Sequence, residues 1–405
     1  MNYLKGKKIL LGITGGIAAY KSCELVRLLI KKEATVNVVM TENAKKFITP
    51  LTCQTLSQNP VIESTFDTMH GAEIKHITLP DEADAFVVAP ATANFIGKLA
   101  SGIADDFLST IALAYTRPIL IAPAMNVHMY ENKIVQRNIK TLKDYGHIII
   151  EPASGYLACG YEGKGRMEEP ARILERIEYF LAPKDFSGIK AIVTAGPTRE
   201  HIDPVRYISN PSTGKMGYAL ARKLAMRGAR VVLISGPSTI EPPYGVELVR
   251  VTSAEEMMKK TEENLDDTAI FIGAAAVADF RPEKPVSQKM KKEKKEKKLT
   301  LTLVKTPDII SEVAKKLKDG IIVGFAAETE NLMKNATEKM KKKGLDMIFA
   351  NDLTAAGSGF GTETNSGYLI NRDGTVKKFE IQSKEDLADQ LLDEIIPELK
   401  KKLSR

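Results

Sequence analysis

The sequence predicts an α/β protein folded as two domains, and three observations lead to that prediction. The chain has 405 residues, more than the roughly 100–200 residues of an ordinary domain. Apolar, β-branched segments alternate with segments of helical periodicity along the whole chain, which is typical of parallel sheets covered by helices. A composition of 43 % apolar and 27 % charged residues is that of a globular protein and argues against disorder.

Five segments in the first half have the apolar, β-branched character of strands. They are Lys8–Thr14, Thr35–Thr41, Asp84–Pro90, Pro118–Pro123 and His147–Glu151. Several of them end in glycine, proline or a small polar residue. Ligands of open α/β sheets bind beyond the carboxyl ends of the strands, so we expect functional residues to follow these segments.

A domain boundary is predicted where proline and glycine interrupt a helix-like run over Phe180–Gly188. A new strand and turn begin at Ile189. The sequence therefore predicts one domain over residues 1–187 and a second over residues 188–405.

The second half repeats the alternation of strands and helices without a clear residue-level repeat of the first. Its predicted strands are Lys190–Thr194, Arg230–Ser235, Glu247–Val251, Ala269–Gly273, Ile321–Phe325 and Met347–Ala350. A late β-hairpin is expected over Tyr368–Phe379, because its centre contains Asp373-Gly374. Ser383 is positioned to cap a final helix that runs to about Lys402.

Composition excludes several classes of protein. No segment approaches the ~20 apolar residues of a membrane helix, and the start of the chain lacks the apolar region of a signal peptide, which predicts a soluble, cytoplasmic protein. The three cysteines (Cys23, Cys53 and Cys159) fit no closed disulfide framework. The five histidines do not fall at zinc-ligand spacings.

The formal net charge of +7 does not indicate binding to nucleic acid. A lysine-rich run over Lys289–Lys298 carries seven lysines and two glutamates, a net +5, which leaves only +2 for the rest of the chain. The run contains no arginine or aromatic residue of the kind that nucleic-acid surfaces use. A solvated loop is the simpler interpretation.

A glycine-rich turn over Gly12–Lys21 follows the first strand and opens a helix, where backbone amides can bind a phosphate. Thr14 stands where the GxGxxG motif needs its second glycine. Taken alone, the turn fits tight packing as well as phosphate binding. Small residues followed by Thr or Asn recur at later strand ends, at Met40-Thr41, Ala89–Asn94 and Ala122–Asn126. Such residues let a flat aromatic cofactor approach the backbone.

Together with Ala158–Met167, these clusters resemble the flavin-dependent phosphopantothenoylcysteine decarboxylases over essentially the whole first half. The resemblance implies a flavodoxin-like or Rossmann-like flavoprotein domain that binds FMN. It places Gly15, Gly16 and Ile17 at the phosphate of FMN. The remaining FMN contacts that it implies are Thr41, Thr92, Asn94, Ala104 and Asp105.

The same resemblance assigns three catalytic residues. His76 is implied as the acid/base of an oxidative half-reaction, Asn126 as the group that binds the substrate carboxylate, and Cys159 as the proton donor of the reductive half-reaction. Without the resemblance, His76 would be interpreted as a surface histidine and Cys159 as a buried thiol. The glycines at positions 160, 163 and 165 suit a mobile flap over the site.

The second half contains a segment, Ser209–Gly217, that looks like a Walker loop but is not one, since Ser209 and Met216 replace required residues. Further clusters follow at Gly273–Pro282, Thr306–Ile309 and Gly324–Thr329. In this order they resemble the phosphopantothenate-cysteine ligases, which activate a carboxylate with CTP as an acyl-cytidylate. The resemblance implies that Mg²⁺ accompanies the CTP and that Asn210 contacts phosphopantothenate or the acyl intermediate.

The resemblance also implies a nucleotide site. Residues around the nucleotide would be Gly273, Ala274, Ala275, Asp279 and Phe325. Residues at the phosphates would be Lys289, Pro307, Asp308, Ile309, Ile310, Lys339 and Lys343. Taken alone, Asp279 fits a helix cap equally well, and any lysine fits a solubilising role.

Because it carries both resemblances in this order, the chain resembles the fused bifunctional enzymes of coenzyme A biosynthesis, the Dfp family. These enzymes join phosphopantothenate to cysteine and then decarboxylate the product to phosphopantetheine. The resemblances imply homo-oligomers with trimer-based flavin domains and dimeric ligase domains. The sequence leaves the oligomeric state, the nucleotide preference and the metal ligands open.

Three other classes of protein are alternatives to this interpretation. A Rossmann-type oxidoreductase needs an acidic ribose-binding residue, and Val36–Thr41 offers none. A flavin prenyltransferase or peptide-modifying cysteine decarboxylase leaves the second half without a role. A non-catalytic regulatory protein of the decarboxylase fold does not explain why His76, Asn126 and Cys159 are all present.

Overall fold

The computed structural model describes residues 2–62, 75–156, 162–290, 300–328, 331–352, 359 and 361–403. The chain divides into two compact units, Asn2–Ala182 and Pro183–Arg405. Residues 183–187, which the predicted division assigns to the first domain, contact the second unit. Asp185 pairs with Arg227, and the Arg227 guanidinium lies over the ring of Phe186.

The first unit is built on a parallel sheet. Its described strands pair in the order β2-β1-β3-β4-β5. They are β1 Lys8–Ile13, β2 Thr35–Met40, β3 Ala85–Ala91, β4 Ile119–Pro123 and β5 Ile148–Ile149. The central strand β3 is buried along its entire length, as expected for a parallel strand covered by helices on both faces.

Helices cover both faces of this sheet, and each face has its own apolar core. The helices are α1 Ala19–Lys31, α2 Pro50–Ser57, α3 Lys75–Glu82, α4 Ala93–Ser101, α5 Phe107–Ala114, α6 Val127–Glu131, α7 Lys133–Asp144 and α8 Pro170–Leu181. A separate antiparallel pair consists of β6 Ala153–Tyr156 and β7 Glu162–Arg166.

The second unit is built on a larger mixed sheet, in the order β12-β11-β8-β13-β16-β17-β18-β19. Its parallel strands are β8 Lys190–Ala195, β11 Arg230–Ser235, β12 Val246–Arg250, β13 Ile270–Gly273, β16 Ile321–Glu328 and β17 Met347–Asp352. The antiparallel hairpin β18 Thr364–Asn371 and β19 Val376–Ser383 completes the edge. The predicted late hairpin is therefore confirmed.

The helices of the second unit connect these strands. They are α9 Lys215–Met226, α10 Ala254–Glu263, α11 Ile309–Lys316, α12 Leu332–Lys343 and α13 Lys384–Leu403. Ser383 accepts a hydrogen bond from the Asp386 amide at the start of α13, as predicted for its cap. Two short antiparallel pairs were not predicted. They are β9 Arg199–His201 with β10 Tyr207–Ser209, and β14 Phe280–Pro282 with β15 Leu303–Lys305.

The predicted fold class, an α/β chain of two parallel-sheet domains with a late hairpin, is confirmed. Within the described part of the chain, no helix is both long enough and apolar enough to cross a bilayer. Most of the lysine-rich run, residues 291–298, lies outside the described residues.

Two candidate active sites

The first unit contains a cavity of about 940 Å³ at the carboxyl ends of its strands, called here the first cavity. It brings together segments that are far apart in sequence, namely those that follow β1, β2, β3 and β4. Of the residues predicted for this half, seven line it: Gly15, Gly16, Ile17, Thr41, Thr92, Asn94 and Asn126.

Gly15 is required by the close approach of a neighbouring loop. A Cβ atom added at this position would lie 2.3 Å from the Cβ of Asn43 and 2.8 Å from its carbonyl carbon. These distances are far shorter than van der Waals contacts. The atoms in the way belong to the Cβ and the backbone of Asn43, which cannot rotate aside as the end of a flexible side chain can. Gly16 differs, because a Cβ there would meet only Thr92 Cγ2, at 3.8 Å.

The start of α1 suits an anionic group. Among the described residues, no side chain caps this helix and no acidic residue stands in its first turn. The residues that lead into it, Gly16, Ile17 and Ala18, line the cavity, while the Ala19 and Lys21 amides donate to the Gly16 and Ala18 carbonyls. The positive end of the helix dipole favours a phosphate at this turn. The cradle therefore fits the phosphate of a flavin nucleotide.

Thr14 explains why the turn departs from the GxGxxG pattern. Its hydroxyl donates to the Pro90 carbonyl over 2.7 Å and accepts from the Thr92 amide over 3.0 Å. These bonds join the carboxyl ends of β1 and β3. Thr92 in turn caps α4 by accepting from the Phe95 amide. The threonine side chain thus adds two hydrogen bonds to the backbone bond from the Thr14 amide to the Pro90 carbonyl, which a glycine would keep.

Asn126 lies between β4 and α6, where its Oδ1 accepts from the His128 amide over 2.8 Å. The preceding residue, Met125, donates its amide to the Gly165 carbonyl over 2.9 Å, which joins this segment to β7. A Cβ on Gly165 would lie 2.4 Å from the Met125 carbonyl oxygen. The glycine therefore allows the base of the predicted flap to pack against the Asn126 segment.

Four predicted residues of the first half are not among those that line this cavity in the described part of the chain. Ala104 and Asp105 do not line it, although Asp105 pairs over 2.6 Å with Lys98, which does. The neighbouring Asp106 does line it. The backbone of His76 lies in α3, but its side chain is outside the described residues, as is all of Cys159.

Charged side chains at the first cavity have partners of opposite sign. Lys21, which is 6 % exposed, donates to Glu169 over 2.8 Å. Lys98 pairs with both Asp105 and Asp106. Burial opposes ionisation of Asp106, but the hydrogen bonds from Lys98 and Ser109 outweigh burial and lower its pKa. Sequence reasoning missed Lys21 and Lys98, which look like ordinary surface lysines of helices.

The second unit contains a cavity of about 770 Å³ at the carboxyl ends of β13, β16 and β17, called here the second cavity. Of the residues predicted for this half, all but one line it: Asn210, Gly273, Ala274, Ala275, Asp279, Pro307, Asp308, Ile309, Ile310, Phe325, Lys339 and Lys343. The exception is Lys289.

Asn210 ties two walls of the second cavity together. Its Nδ2 donates to the carbonyls of Ala276 and Val277, over 3.2 and 3.0 Å. These carbonyls belong to the segment that follows β13. The bonds orient the Asn210 amide across the cavity edge, because both donors of one side chain are fixed by neighbouring peptides.

Asp308 and Lys343 form an ion pair of 2.9 Å on the wall made by α11 and α12. Burial opposes ionisation of Asp308, but the hydrogen bonds from Lys343 and Ser311 outweigh it and lower its pKa. Asp308 also caps α11 by accepting from the Ser311 amide.

Asp279 follows β13 and lines the cavity, and its carbonyl accepts from the Thr306 amide over 3.0 Å. The strand β14, and not a helix, follows Asp279, so Asp279 is not the helix cap of the alternative interpretation.

Lys289 is exposed and does not line the second cavity. Its neighbour Met290 is held instead near Asp203, whose Oδ2 accepts from the Met290 amide over 3.2 Å. The structure therefore does not bring Lys289 together with the other predicted phosphate ligands.

Sequence reasoning missed one corner of the second cavity. Lys215, Asn351, Asn365 and Lys384 line it, although they come from distant parts of the chain. Two of the four had a sequence signal, because Lys215 lies in the Walker-like segment Ser209–Gly217 and Asn351 follows a predicted strand. Within the described ranges, no group of three or more His, Cys, Asp or Glu side chains is arranged to hold a metal ion.

Comparisons with known proteins match both units. The family model described as the flavoprotein family matches residues 2–182. The family model of the DNA/pantothenate metabolism flavoprotein C-terminal domain matches residues 186–399. The coenzyme A biosynthesis bifunctional protein CoaBC of Bacillus subtilis is 48 % identical over 396 residues, which cover 97 % of each chain.

The chain belongs to the family of coenzyme A biosynthesis bifunctional proteins. The CoaBC protein of Escherichia coli K12, another member, is 45 % identical over 397 residues and 97 % of each chain. The predicted resemblance to the fused bifunctional enzymes is thus confirmed. The chain is an enzyme of coenzyme A biosynthesis with two activities, and its first half is a flavoprotein domain.

Solved structures resemble each half separately. The C-terminal domain of a CoaBC protein is 34 % identical, covers 54 % of this chain and 99 % of its own, and has a TM-score of 0.47. A mutant PPC decarboxylase complexed with pantothenoylaminoethenethiol is 32 % identical, covers 44 % of this chain and 98 % of its own, and has a TM-score of 0.39.

Proposed function

We propose that the two cavities divide between them the two steps that this bifunctional enzyme performs. The second cavity would host the CTP-dependent ligation of 4′-phosphopantothenate with cysteine. The first cavity would host the FMN-dependent decarboxylation of the product to 4′-phosphopantetheine. The observation that carries this proposal is that each cavity gathers most of the residues predicted for one step, seven of eleven in the first and twelve of thirteen in the second, and none of those predicted for the other.

In the first cavity, Gly15, Gly16 and Ile17 would hold the phosphate of FMN, and Thr41, Thr92 and Asn94 would surround the rest of the cofactor. FMN, when bound, supplies the two-electron oxidation that makes loss of CO₂ from the substrate possible. Asn126 would bind the departing carboxylate. The roles of His76 and Cys159 in proton transfer rest on the family resemblance, as do those of Ala104 and Asp105 at the cofactor.

In the second cavity, the segment Gly273–Ala275 with Asp279 and Phe325 would surround the nucleotide. Pro307–Ile310 with Lys339 and Lys343 would face its phosphates, where lysine stabilises the charge that develops on the leaving pyrophosphate. Asn210 would hold the acyl group. The role of Lys289, which is exposed here, requires the segment that carries it to approach the cavity.

Further features of the proposal follow from the family resemblance. Mg²⁺ would enter bound to the phosphates of CTP, as is usual for an ion that keeps most of its water ligands. The enzyme would act in the cytoplasm as a homo-oligomer of trimeric flavin domains and dimeric ligase domains.

One incubation tests the proposal. Purified protein is mixed with 4′-phosphopantothenate, cysteine, CTP and Mg²⁺, and the products are followed by mass spectrometry. Pyrophosphate, CMP and phosphopantetheine should form together, and the purified protein should be yellow. A colourless protein that does not take up FMN would contradict the assignment of the first cavity. Turnover that does not require CTP would contradict that of the second.

A further inference from the structure

One corner of the second cavity contains none of the residues proposed to bind CTP and phosphopantothenate. It is lined by Asn351, Gly361, Asn365 and Lys384, with Lys215 beside them. The proposed ligation has a third substrate, cysteine, for which no binding group has been named. This inference rests on that proposed function.

Lys384 is a buried cation on the wall of this corner. It is the first residue of α13 and is only 7 % exposed. Its Nζ donates to the carbonyl oxygens of Gly359 and Thr362, over 3.1 and 2.7 Å. A lysine ammonium has three N–H donors, so two such bonds leave one donor for a further acceptor.

The charge of Lys384 is compensated only in part. Burial lowers its pKa, the positive charge of Lys215 lowers it further, and the exposed carboxylate of Glu363 raises it but does not outweigh them. A buried ammonium among neutral carbonyls is unfavourable unless an anion compensates it. This environment therefore favours an anionic ligand at the corner.

Lys215 adds a second positive charge to the corner. Its Nζ donates to the Gly361 carbonyl over 2.8 Å and pairs with Glu363, whose side chain is 83 % exposed. An ion pair with so exposed a carboxylate is weak, because water screens it. A ligand that enters the cavity can therefore use the charge of Lys215 at little cost.

The corner suits an amino acid better than it suits the nucleotide. The predicted phosphate ligands Lys339 and Lys343 lie on α12, where they bond to the Phe325 carbonyl and the Asp308 carboxylate. Lys384 and Lys215 bond instead to the carbonyls of Gly359, Gly361 and Thr362. Asn351 and Asn365 add amide groups to the corner. The Asn365 Oδ1 accepts from the Ser366 amide over 3.1 Å, and an amide oxygen has two lone pairs with which to accept hydrogen bonds. Cations near that amino group also lower its pKa, which favours the neutral, nucleophilic form.

We propose that Lys384, with Lys215 beside it, binds the α-carboxylate of the cysteine that attacks the acyl-cytidylate. The ammonium of the bound cysteine first releases a proton to solvent. The amine nitrogen then forms a bond to the acyl carbon, and the bond from that carbon to the phosphate oxygen breaks. CMP leaves with the bonding electrons, and the second proton lost by the nitrogen completes the amide.

The test separates the two chemical steps in the variant Lys384→Met. Acyl-cytidylate formation is measured as the burst of pyrophosphate without cysteine, and amide formation as the release of CMP at varied cysteine. A lost charge-assisted hydrogen bond should raise KM for cysteine roughly 10- to 100-fold and leave the burst intact. A variant that folds but loses the burst would overturn the proposal, because Lys384 would then serve the nucleotide.

Cysteamine, which is cysteine without the carboxylate, gives the second arm of the test. The wild-type enzyme should prefer cysteine to cysteamine, and Lys384→Met should abolish most of that preference while barely changing the rate with cysteamine. Equal losses with the two amines would show a general structural role and overturn the proposal.

Further variants complete the design. Lys215→Met should raise KM for cysteine in the same direction by a smaller factor, and Lys378→Met, on the exposed face of β19, should change nothing. If Lys384→Met does not fold, the proposal is tested with Lys384→Arg and Lys215→Met. Lys384→Arg should retain only part of the preference for cysteine over cysteamine. The proposal would be overturned if that preference were unchanged in Lys384→Arg and KM for cysteine were unchanged in Lys215→Met. A wild-type enzyme that gives no pyrophosphate burst would contradict the ligase function itself.

Discussion

Each cavity lies at the carboxyl ends of parallel strands in its own unit, yet the two cavities differ in charge. Among the described residues that line the first cavity, the buried or half-buried lysines have carboxylate partners, as Lys21 has Glu169 and Lys98 has Asp106. The second cavity is lined by six lysines and two aspartates in the described part of the chain. The first is thus nearly balanced in charge, and the second is strongly positive.

This difference teaches how one scaffold serves two chemistries. The strand ends supply small residues and backbone groups in both units, while the helices that follow them decide the local charge. A flavin ring needs close backbone approach and carries little charge itself, whereas a triphosphate carries several negative charges that lysines must offset. The predictions below test whether each cavity can be disabled without the other.

The largest effect is expected from Gly15→Ala. The new Cβ would overlap Asn43, so the phosphate cradle must open. We expect loss of bound flavin and at least a hundredfold loss of decarboxylation, with ligation unchanged. Flavin absorbance of the purified protein and the two separate assays measure this.

Gly97→Ala is the matched control for the first cavity. Its Cβ would make only an ordinary contact of 3.7 Å with Asn138, so flavin content and both activities should stay as they are. Flavin retained at wild-type stoichiometry in Gly15→Ala would contradict the proposed cradle.

A large effect is also expected from Asn210→Asp in the second cavity. The substitution replaces a donor by a carboxylate that faces the carbonyls of Ala276 and Val277. Two lost hydrogen bonds and the new repulsion should lower ligation roughly 100-fold. Decarboxylation of added phosphopantothenoylcysteine is the internal control, and a parallel loss of that activity would show that the cavities are not independent.

A smaller effect is expected from Lys343→Met. Removal of one phosphate-facing lysine should raise KM for CTP by roughly tenfold, as measured by initial rates of pyrophosphate release. Lys341→Met, on the same helix but away from the cavity, should not alter it. An unchanged KM for CTP in Lys343→Met would place the phosphates elsewhere.

The smallest effect concerns the thiols, all of which precede residue 187. A hydrogen bond from Cys53 lowers the pKa of Cys23 to about 7. The thiolate is the reactive form, so alkylation of Cys23 should accelerate as pH rises through 7, and Cys53→Ala should move this rise to higher pH. Peptide mapping follows Cys23 alone. Ligation should persist in the alkylated protein.

The sequence predicted the large sheets well because long apolar, β-branched runs carry a strong signal. It also located the glycine turn at Gly15 and the Asn126 segment, since both directly follow buried strands. The pairs β9–β10 and β14–β15 escaped prediction, because strands of three residues show no periodicity and are fixed by their partners.

The second cavity shows more clearly which site residues could not be predicted from the sequence. Lys384 and Lys215 are 169 positions apart, and although Lys215 lies in the Walker-like segment Ser209–Gly217, Lys384 looks like one solubilising lysine among many. Only the fold brings α9, α13 and the end of β17 to one corner. Lys289 is the opposite case. Its distance from a motif distinguished it in the sequence as a phosphate ligand, but the fold leaves it exposed.

The central claim is that two independent cavities in one chain perform consecutive reactions, and complementation tests it most directly. Gly15→Ala and Asn210→Asp are mixed with 4′-phosphopantothenate, cysteine, CTP and Mg²⁺, and phosphopantetheine is measured. Each variant alone should form almost none, while the mixture should form it at a substantial rate, because the product of one cavity diffuses to the other. A mixture no more active than its components would contradict the claim.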